Sequence, residues 1–372
     1  MRKCLAISVF LLTVSVGQAE AQWLKETYIS VFAAERDTAY IQDLSQMFGI
    51  NASIFQKNSA FSIDDLKNLS SLQYSCSDSS SSVSAGFAYK WLSLNLGFST
   101  GLFDRHRSGK KTNLSTQILL PAVTLKFSGS IYEGYYLENA ESILQNWPVG
   151  TRHDRPDITT ASLRVSADYY FNYTKYSRKA LTSHGELQKR TAGSPIVGIL
   201  LNMNMVGGDS SLVPRAVNDS IFGYHEQIKF VSNTLIGAGG GYARTFVTPA
   251  KIYFNLDMQM GLAYNKGLLQ ITDAPDRTHK SLNLYFQGDA SLGFNSKHWF
   301  FNAGGSILVI ESPMGNDGVS INNVSAVAQA TLAYRFELDK NYGVGELFST
   351  KWHQWRDYRA SKKQSPADNL EE

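Results

Sequence analysis

Hydrophobic and polar residues alternate with period two along most of this chain, the spacing that turns successive side chains to opposite faces of a strand. From Ile252 to Asn265, Phe254, Leu256, Met258, Met260, Leu262 and Tyr264 share a face with Ile252, while Asn255, Asp257, Gln259 and Asn265 occupy the other. A second copy sets Leu282, Leu284, Phe286, Ala290, Leu292 and Phe294 against Asn283, Gln287, Asp289 and Asn295. A third sets Leu92, Leu94, Leu96 and Phe98 against Ser93, Asn95 and Ser99. Such segments predict strands at 49–57, 83–89, 91–101, 112–120, 122–136, 160–171, 194–206, 231–246, 250–266, 281–294, 298–310 and 323–337. Segments of roughly ten residues suit tilted strands that cross a bilayer, and their even number returns both termini to one side.

The connections sharpen this picture. Turns near Lys90, Pro121, Pro249 and Ser296 are tight, whereas 58–82, 102–111, 137–159, 207–230, 267–280 and 311–322 are long. Short turns read as periplasmic and long loops as extracellular. Segment 172–193 breaks the rule by being long on the periplasmic side, so there either the flanking strands outrun the membrane or the register slips. The fold expected is all-β, a transmembrane antiparallel up-and-down β-barrel of about 12 strands over 49–337. A soluble or surface-attached β-sandwich binding protein is the competing reading; charged residues recurring between the apolar ones weigh against it.

The ends differ from the middle. Arg2 and Lys3 precede an apolar run from Leu5 to Val16 and then Ala19-Glu20-Ala21, the three parts of a signal peptide, with cleavage expected after Ala21. Gln22 at the new N-terminus argues against a lipoprotein. Residues 22–48 are expected to be a periplasmic lead or a small plug. In the tail 338–372, Phe348, Trp352, Trp355 and Tyr358 recur at helical spacing among Lys351, Arg356, Arg359, Lys362 and Lys363. That spacing predicts an amphipathic basic helix, lying on the inner leaflet, packed into the periplasmic mouth, or mobile.

Composition then narrows the class. The 372 residues hold 20 Phe, 19 Tyr, 6 Trp and 29 Gly, yet mean hydropathy is slightly negative at −0.21, which suits two-faced strands and excludes a helical membrane bundle. Cleavage would leave Cys76 as the one cysteine, so no internal disulfide can form. A net charge of +3 gives no reason to expect a nucleic-acid partner.

Candidate chemistry is sparse. Gly97-Phe98-Ser99-Thr100-Gly101 spells a hydrolase nucleophile elbow, but it ends an alternating strand rather than opening a helix. Gly208-Asp209-Ser210-Ser211 resembles an esterase block and reads better as turn residues. Gly237, Gly239, Gly240 and Gly241 lack the helix a dinucleotide site needs; in a barrel they permit coiling or close approach of a neighbour. The seven histidines show no metal-ligand spacing, so no metal and no cofactor are expected. His298 is the nearest thing to a lumen base, and Ser99 with His298 is the weak pair on which a lipid-acting barrel hydrolase would rest.

Charged residues at lumen-facing positions carry more interest. Lys126, Arg164, Asp168, Asp257, Asp289 and Arg335 are costly against lipid and are expected to point inward, either pairing to fill a narrow barrel or forming a constriction of mixed sign. Arg105, His106, Arg107, Lys110 and Lys111 form a basic cluster in an expected outer loop, suited to lipopolysaccharide phosphate or simply solvated.

Several stretches together resemble a known family: Asp37-Thr38 with Tyr40-Ile41, Tyr89 to Gly97 (YKWLSLNLG), Tyr132-Glu133-Gly134-Tyr135-Tyr136, Tyr176-Ser177-Arg178-Lys179-Ala180, Gln188-Lys189-Arg190 and Ala192-Gly193-Ser194. The chain resembles an uncharacterised outer-membrane barrel family of Bacteroidota, domain of unknown function 4421, over about residues 35 to 336. The resemblance implies fold and location and brings no catalytic residue. The expected function is therefore a non-enzymatic outer-membrane barrel, a narrow channel or a structural or surface-interaction protein, with outer-membrane lipid and lipopolysaccharide as its expected partners.

Overall fold

A computed structural model describes residues 35–337 except 66, 78–80, 90–91, 100–109, 183–184, 219–220, 223–226 and 311–318. The signal segment and the tail with Phe348, Trp352, Trp355 and Tyr358 lie outside the described residues. The described strands are β1 (Ile41–Asp43), β2 (Met47–Asp65), β3 (Ser70–Cys76), β4 (Ser82–Tyr89), β5 (Leu92–Ser99), β6 (Lys110–Leu119), β7 (Val123–Leu137), β8 (His153–Tyr170), β9 (Glu186–Gln188), β10 (Ala192–Gly207), β11 (Ile228–Val247), β12 (Ile252–Ile271), β13 (Arg277–Asn295), β14 (Trp299–Ile310) and β15 (Val319–Glu337).

Twelve of these form one ring in the order β2-β4-β5-β6-β7-β8-β10-β11-β12-β13-β14-β15. Antiparallel pairing of β15 with β2, from Val319 opposite Asp65 to Glu337 opposite Met47, closes it. Closure leaves no strand edge to satisfy, the condition for a sheet to stand in lipid. A single closed ring is not a pair of packed sheets, so the sandwich reading is corrected here.

The alternation is turned inside out relative to a water-soluble protein. On β12, Met260 is 63% exposed and Leu262 53%, whereas Asp257 is 1% exposed and Asn265 0%. From Phe254 to Tyr264 the outward side chains are apolar, a tilted run that covers roughly 25 Å of bilayer. Phe246, Phe254, Phe294, Trp299, Phe301 and Tyr334 cluster at one margin of the band as an aromatic girdle. That margin lies at the end where the chain enters β2 and leaves β15, called here the near end. Beyond the other margin the outer face becomes polar, with exposed Lys266 opposite exposed Lys280.

Strands outrun the membrane toward this far end, which corrects the expected loop boundaries. β2 continues to Asp65 and β3 follows it, where 58–82 is predicted as loop. β3 pairs with β2 from Ala60 to Asp65 and with β7 at Tyr135 to Leu137, above the short strands β4, β5 and β6. The ring thus branches, and β3 replaces that three-stranded lobe at the far end. The switch of neighbour on β7 falls at a bulge between Glu133 and Tyr135, where Gly134 takes φ +88, a conformation that costs a glycine little.

Candidate functional site

The site is the lumen, and at the near end it is filled. Segment 172–191, between β8 and β10, turns into the barrel, and its short strand β9 pairs with β1 from the N-terminal lead. The predicted irregularity is therefore an insertion, not a register slip. Its fold is held locally. Ser177 Oγ accepts from the Ala180 N–H at 2.9 Å, starting the helical turn Lys179–Thr182, and Gln188 Oε1 accepts from the Ser177 N–H at 2.9 Å. Buried Glu186 pairs with Arg36 at 3.0 Å and lies 3.9 Å from Lys179.

The insertion crosses to the opposite wall. Arg178 places Nη1 3.4 Å from Asp257 Oδ2 on β12 and Nη2 3.2 Å from Asp289 Oδ1 on β13. Asn295 Nδ2 donates to the Ala180 carbonyl at 2.9 Å, Asn302 Nδ2 to the Leu181 carbonyl at 2.9 Å, and the Tyr176 hydroxyl to Asn255 Oδ1 at 3.3 Å. Arg335, 1% exposed, donates to Asn295 Oδ1 at 2.7 Å and to the Ser296 carbonyl at 2.8 Å, so it braces the wall that receives the insertion. Polar strand positions facing one another are what these bonds require, and the two-faced pattern supplies them.

Above the plug lies a polar chamber of about 350 Å³ lined by Asn51, Lys57, Lys126, Arg164, Arg178 and Asp289, among others. Lys126 pairs with Asp168 at 3.4 Å. Arg164 Nε lies 3.5 Å from Asn202 Oδ1. The six charged residues singled out from the sequence thus sit on the inner face, Asp168, Asp257 and Asp289 each with a cation at hand and Arg335 held by carbonyls and an amide. The sequence reading missed Lys57 and Arg178; Lys57 occupies an inward position of β2, and Arg178 lies in a segment with no period to reveal it. Gly239 and Gly261 leave room for Tyr285, whose hydroxyl would lie 2.5 Å from a Cβ at Gly239 and whose ring would lie 2.4 Å from one at Gly261.

At the far end the inward face becomes apolar. Phe61 stacks on Tyr74 and meets Tyr135 edge-on, with ring centroids 4.9 and 5.4 Å from Phe61, and the three join Leu212, Val217 and Phe222 from the connection between β10 and β11 in one buried cluster. The Tyr74 hydroxyl donates to the Leu212 carbonyl at 2.5 Å, and burial holds its pKa above the ordinary value, so it stays a donor.

The outer basic cluster needs correction. Arg105, His106 and Arg107 lie outside the described residues, and Lys110 and Lys111 open β6 instead of belonging to a loop. Lys110 points out and pairs with Glu133 at 3.5 Å, whereas Lys111 is buried, donating to the Lys57 carbonyl at 3.1 Å with its ammonium over the Tyr132 ring. Hydrolase chemistry finds no support. Ser99 ends β5 at the far end opposite Ser82, while His298 sits in the near-end turn with Nδ1 3.1 Å from the Arg335 carbonyl. Ser210 is tied to an ion pair, its hydroxyl 3.0 Å from both Asp157 and Arg155. Among the described residues no group of three or more His, Cys, Asp or Glu is placed to hold a metal.

Residues 35–336 match the model of a family described as Domain of unknown function (DUF4421). No curated protein matches the chain. Solved structures similar to it include the outer membrane protease OmpT from Escherichia coli, 8% identical with a TM-score of 0.37, covering 79% of this chain and 98% of that one. The translocator domain of the autotransporter NalP from Neisseria meningitidis is 9% identical with a TM-score of 0.31, over 86% and 95%. Neisserial surface protein A is 10% identical with a TM-score of 0.24, over 78% and 97%. Likenesses this remote carry nothing about activity.

Proposed function

The chain belongs to the DUF4421 family, and from that premise, which brings no activity with it, we propose that it is a non-enzymatic outer-membrane barrel closed at rest, serving a structural or surface-interaction role. The observation that carries this reading is the Arg178 bridge to Asp257 and Asp289, which fixes an inserted segment across the near mouth. An ion pair taken out of water is costly to break singly, so thermal motion alone will rarely release it. On this reading the leader is removed after Ala21, the near end faces the periplasm, and the exposed Lys266 and Lys280 with the 105–107 cluster meet lipopolysaccharide phosphate.

Planar-bilayer recording of the purified full chain tests closure. The wild type is expected to give no steady conductance, and replacing residues 174–189 by a short Gly-Ser turn is expected to produce discrete steps. Steady conductance from the wild type would replace this reading with the narrow channel, which the polar chamber favours. Heat-modifiable migration on gels, expected of a closed barrel, checks the membrane fold separately.

A further inference from the structure

The charges of the lumen are not evenly matched. Asp168 is engaged by Lys126, and Asp257 and Asp289 are engaged by Arg178. Lys57 and Arg164 also face the chamber, and among the described residues neither forms an ion pair. Their polar contacts are neutral. Lys57 Nζ donates to Ser130 Oγ at 3.0 Å, which in turn lies 2.7 Å from Ser162 Oγ, and Arg164 Nε reaches Asn202 Oδ1 at 3.5 Å. Lys111, over the same Tyr132 ring as Lys57, adds a third cation nearby, with ammonium-to-centroid distances of 5.6 and 5.8 Å.

Two half-buried cations that face one chamber with no described carboxylate within ion-pair distance repel each other, and an anion seated between them relieves that repulsion. Arg164 makes no hydrogen bond through its two terminal nitrogens among the described residues, which leaves the fork that grips a carboxylate or phosphate. A volume of about 350 Å³ lies in the range of small-molecule sites. We propose that the chamber is a binding site for a small organic anion, its carboxylate or phosphate group seated between Lys57 and Arg164. The site goes beyond the closed-barrel reading.

Equilibrium dialysis of the folded full chain in detergent micelles, with labelled inorganic phosphate in one arm and labelled citrate in the other, tests it at matched ionic strength. One saturable site per barrel is expected in at least one arm, and the arm that binds identifies the anion class. R164Q and K57M are each expected to weaken it about tenfold or more, the loss of a charge-assisted hydrogen bond, while K110M on the outer face leaves it unchanged. Absence of saturable binding by the wild type in both arms overturns the proposal, as does binding that R164Q and K57M leave intact. The wild-type measurement decides the matter even where a variant fails to fold, and its outcome is separate from conductance.

Discussion

At the near mouth, closure rests on directed polar contacts, with Arg178 between Asp257 and Asp289 and Asn295 and Asn302 holding the carbonyls of Ala180 and Leu181. At the far mouth, the inward face is packed mainly by apolar area from Phe61, Tyr74, Tyr135 and Phe222, with the Tyr74 hydroxyl bonded to the Leu212 carbonyl. Below, the outer surface of the strands faces lipid and much of the inner face is polar, so directed bonds hold the insertion, with Tyr176 and Leu181 packed among Tyr170, Tyr253 and Phe300 in a smaller apolar cluster. Above, the same strands stand beyond the apolar band, and their apolar residues turn inward as in a water-soluble protein. One set of strands thus follows two solvents, and the two closures should fail differently.

The sharpest break is R178A. Removing one partner of a buried charge cluster leaves Asp257 and Asp289 without their cation and is expected to cost about 3–5 kcal/mol in urea unfolding from lipid vesicles. The same variant should show conductance steps that the wild type lacks. A loss below about 1 kcal/mol with silent bilayers would mean that the amides and the apolar packing of Tyr176 and Leu181 hold the plug without the bridge. F222A, in the apolar cluster, is expected to cost about 3 kcal/mol through the cavity it leaves, yet to stay silent in bilayers because the near plug is intact. Conductance in F222A would shift the barrier to the far mouth.

The sequence was readable wherever one solvent acted on a whole segment. All twelve ring strands followed from alternation, since lipid on one side and the lumen on the other impose period two. The plug was not readable, because Arg178, Glu186 and Gln188 act through turns and single bonds that leave no period. β3 escaped for a different reason: Leu72 and Tyr74 alternate with Gln73, but over only Ser70–Cys76 and with the apolar face inward. The lumen charges were legible as residues that lipid would reject. Their partner Arg178 was not, since a cation in a polar loop looks solvated until the fold turns it inward.

A smaller effect separates the amides from the charges at the near end. Asn302 donates to the Leu181 carbonyl at 2.9 Å, and N302A is expected to cost about 1–2 kcal/mol, the value of a buried hydrogen bond whose acceptor is left behind. Its bilayer record should stay silent, because the Arg178 bridge persists. Steps at N302A as frequent as those of R178A would show that the plug behaves as one cooperative unit instead of a charged latch with supports.

The smallest contrast is between neighbours. Lys110 and Lys111 start the same strand, but the Lys110 side chain is 86% exposed and meets a half-exposed Glu133, so K110M should change stability by less than about 0.5 kcal/mol. Lys111 faces inward, donating to the Lys57 carbonyl and lying over the Tyr132 ring, and K111M should cost about 1–2 kcal/mol through the loss of both. Urea midpoints of the two variants read the difference directly. Since the residues are adjacent and chemically identical, unequal losses would come from the face each occupies, and equal losses would mean that β6 does not hold the two-faced orientation by which the far end changes from lipid-facing to inward-packed.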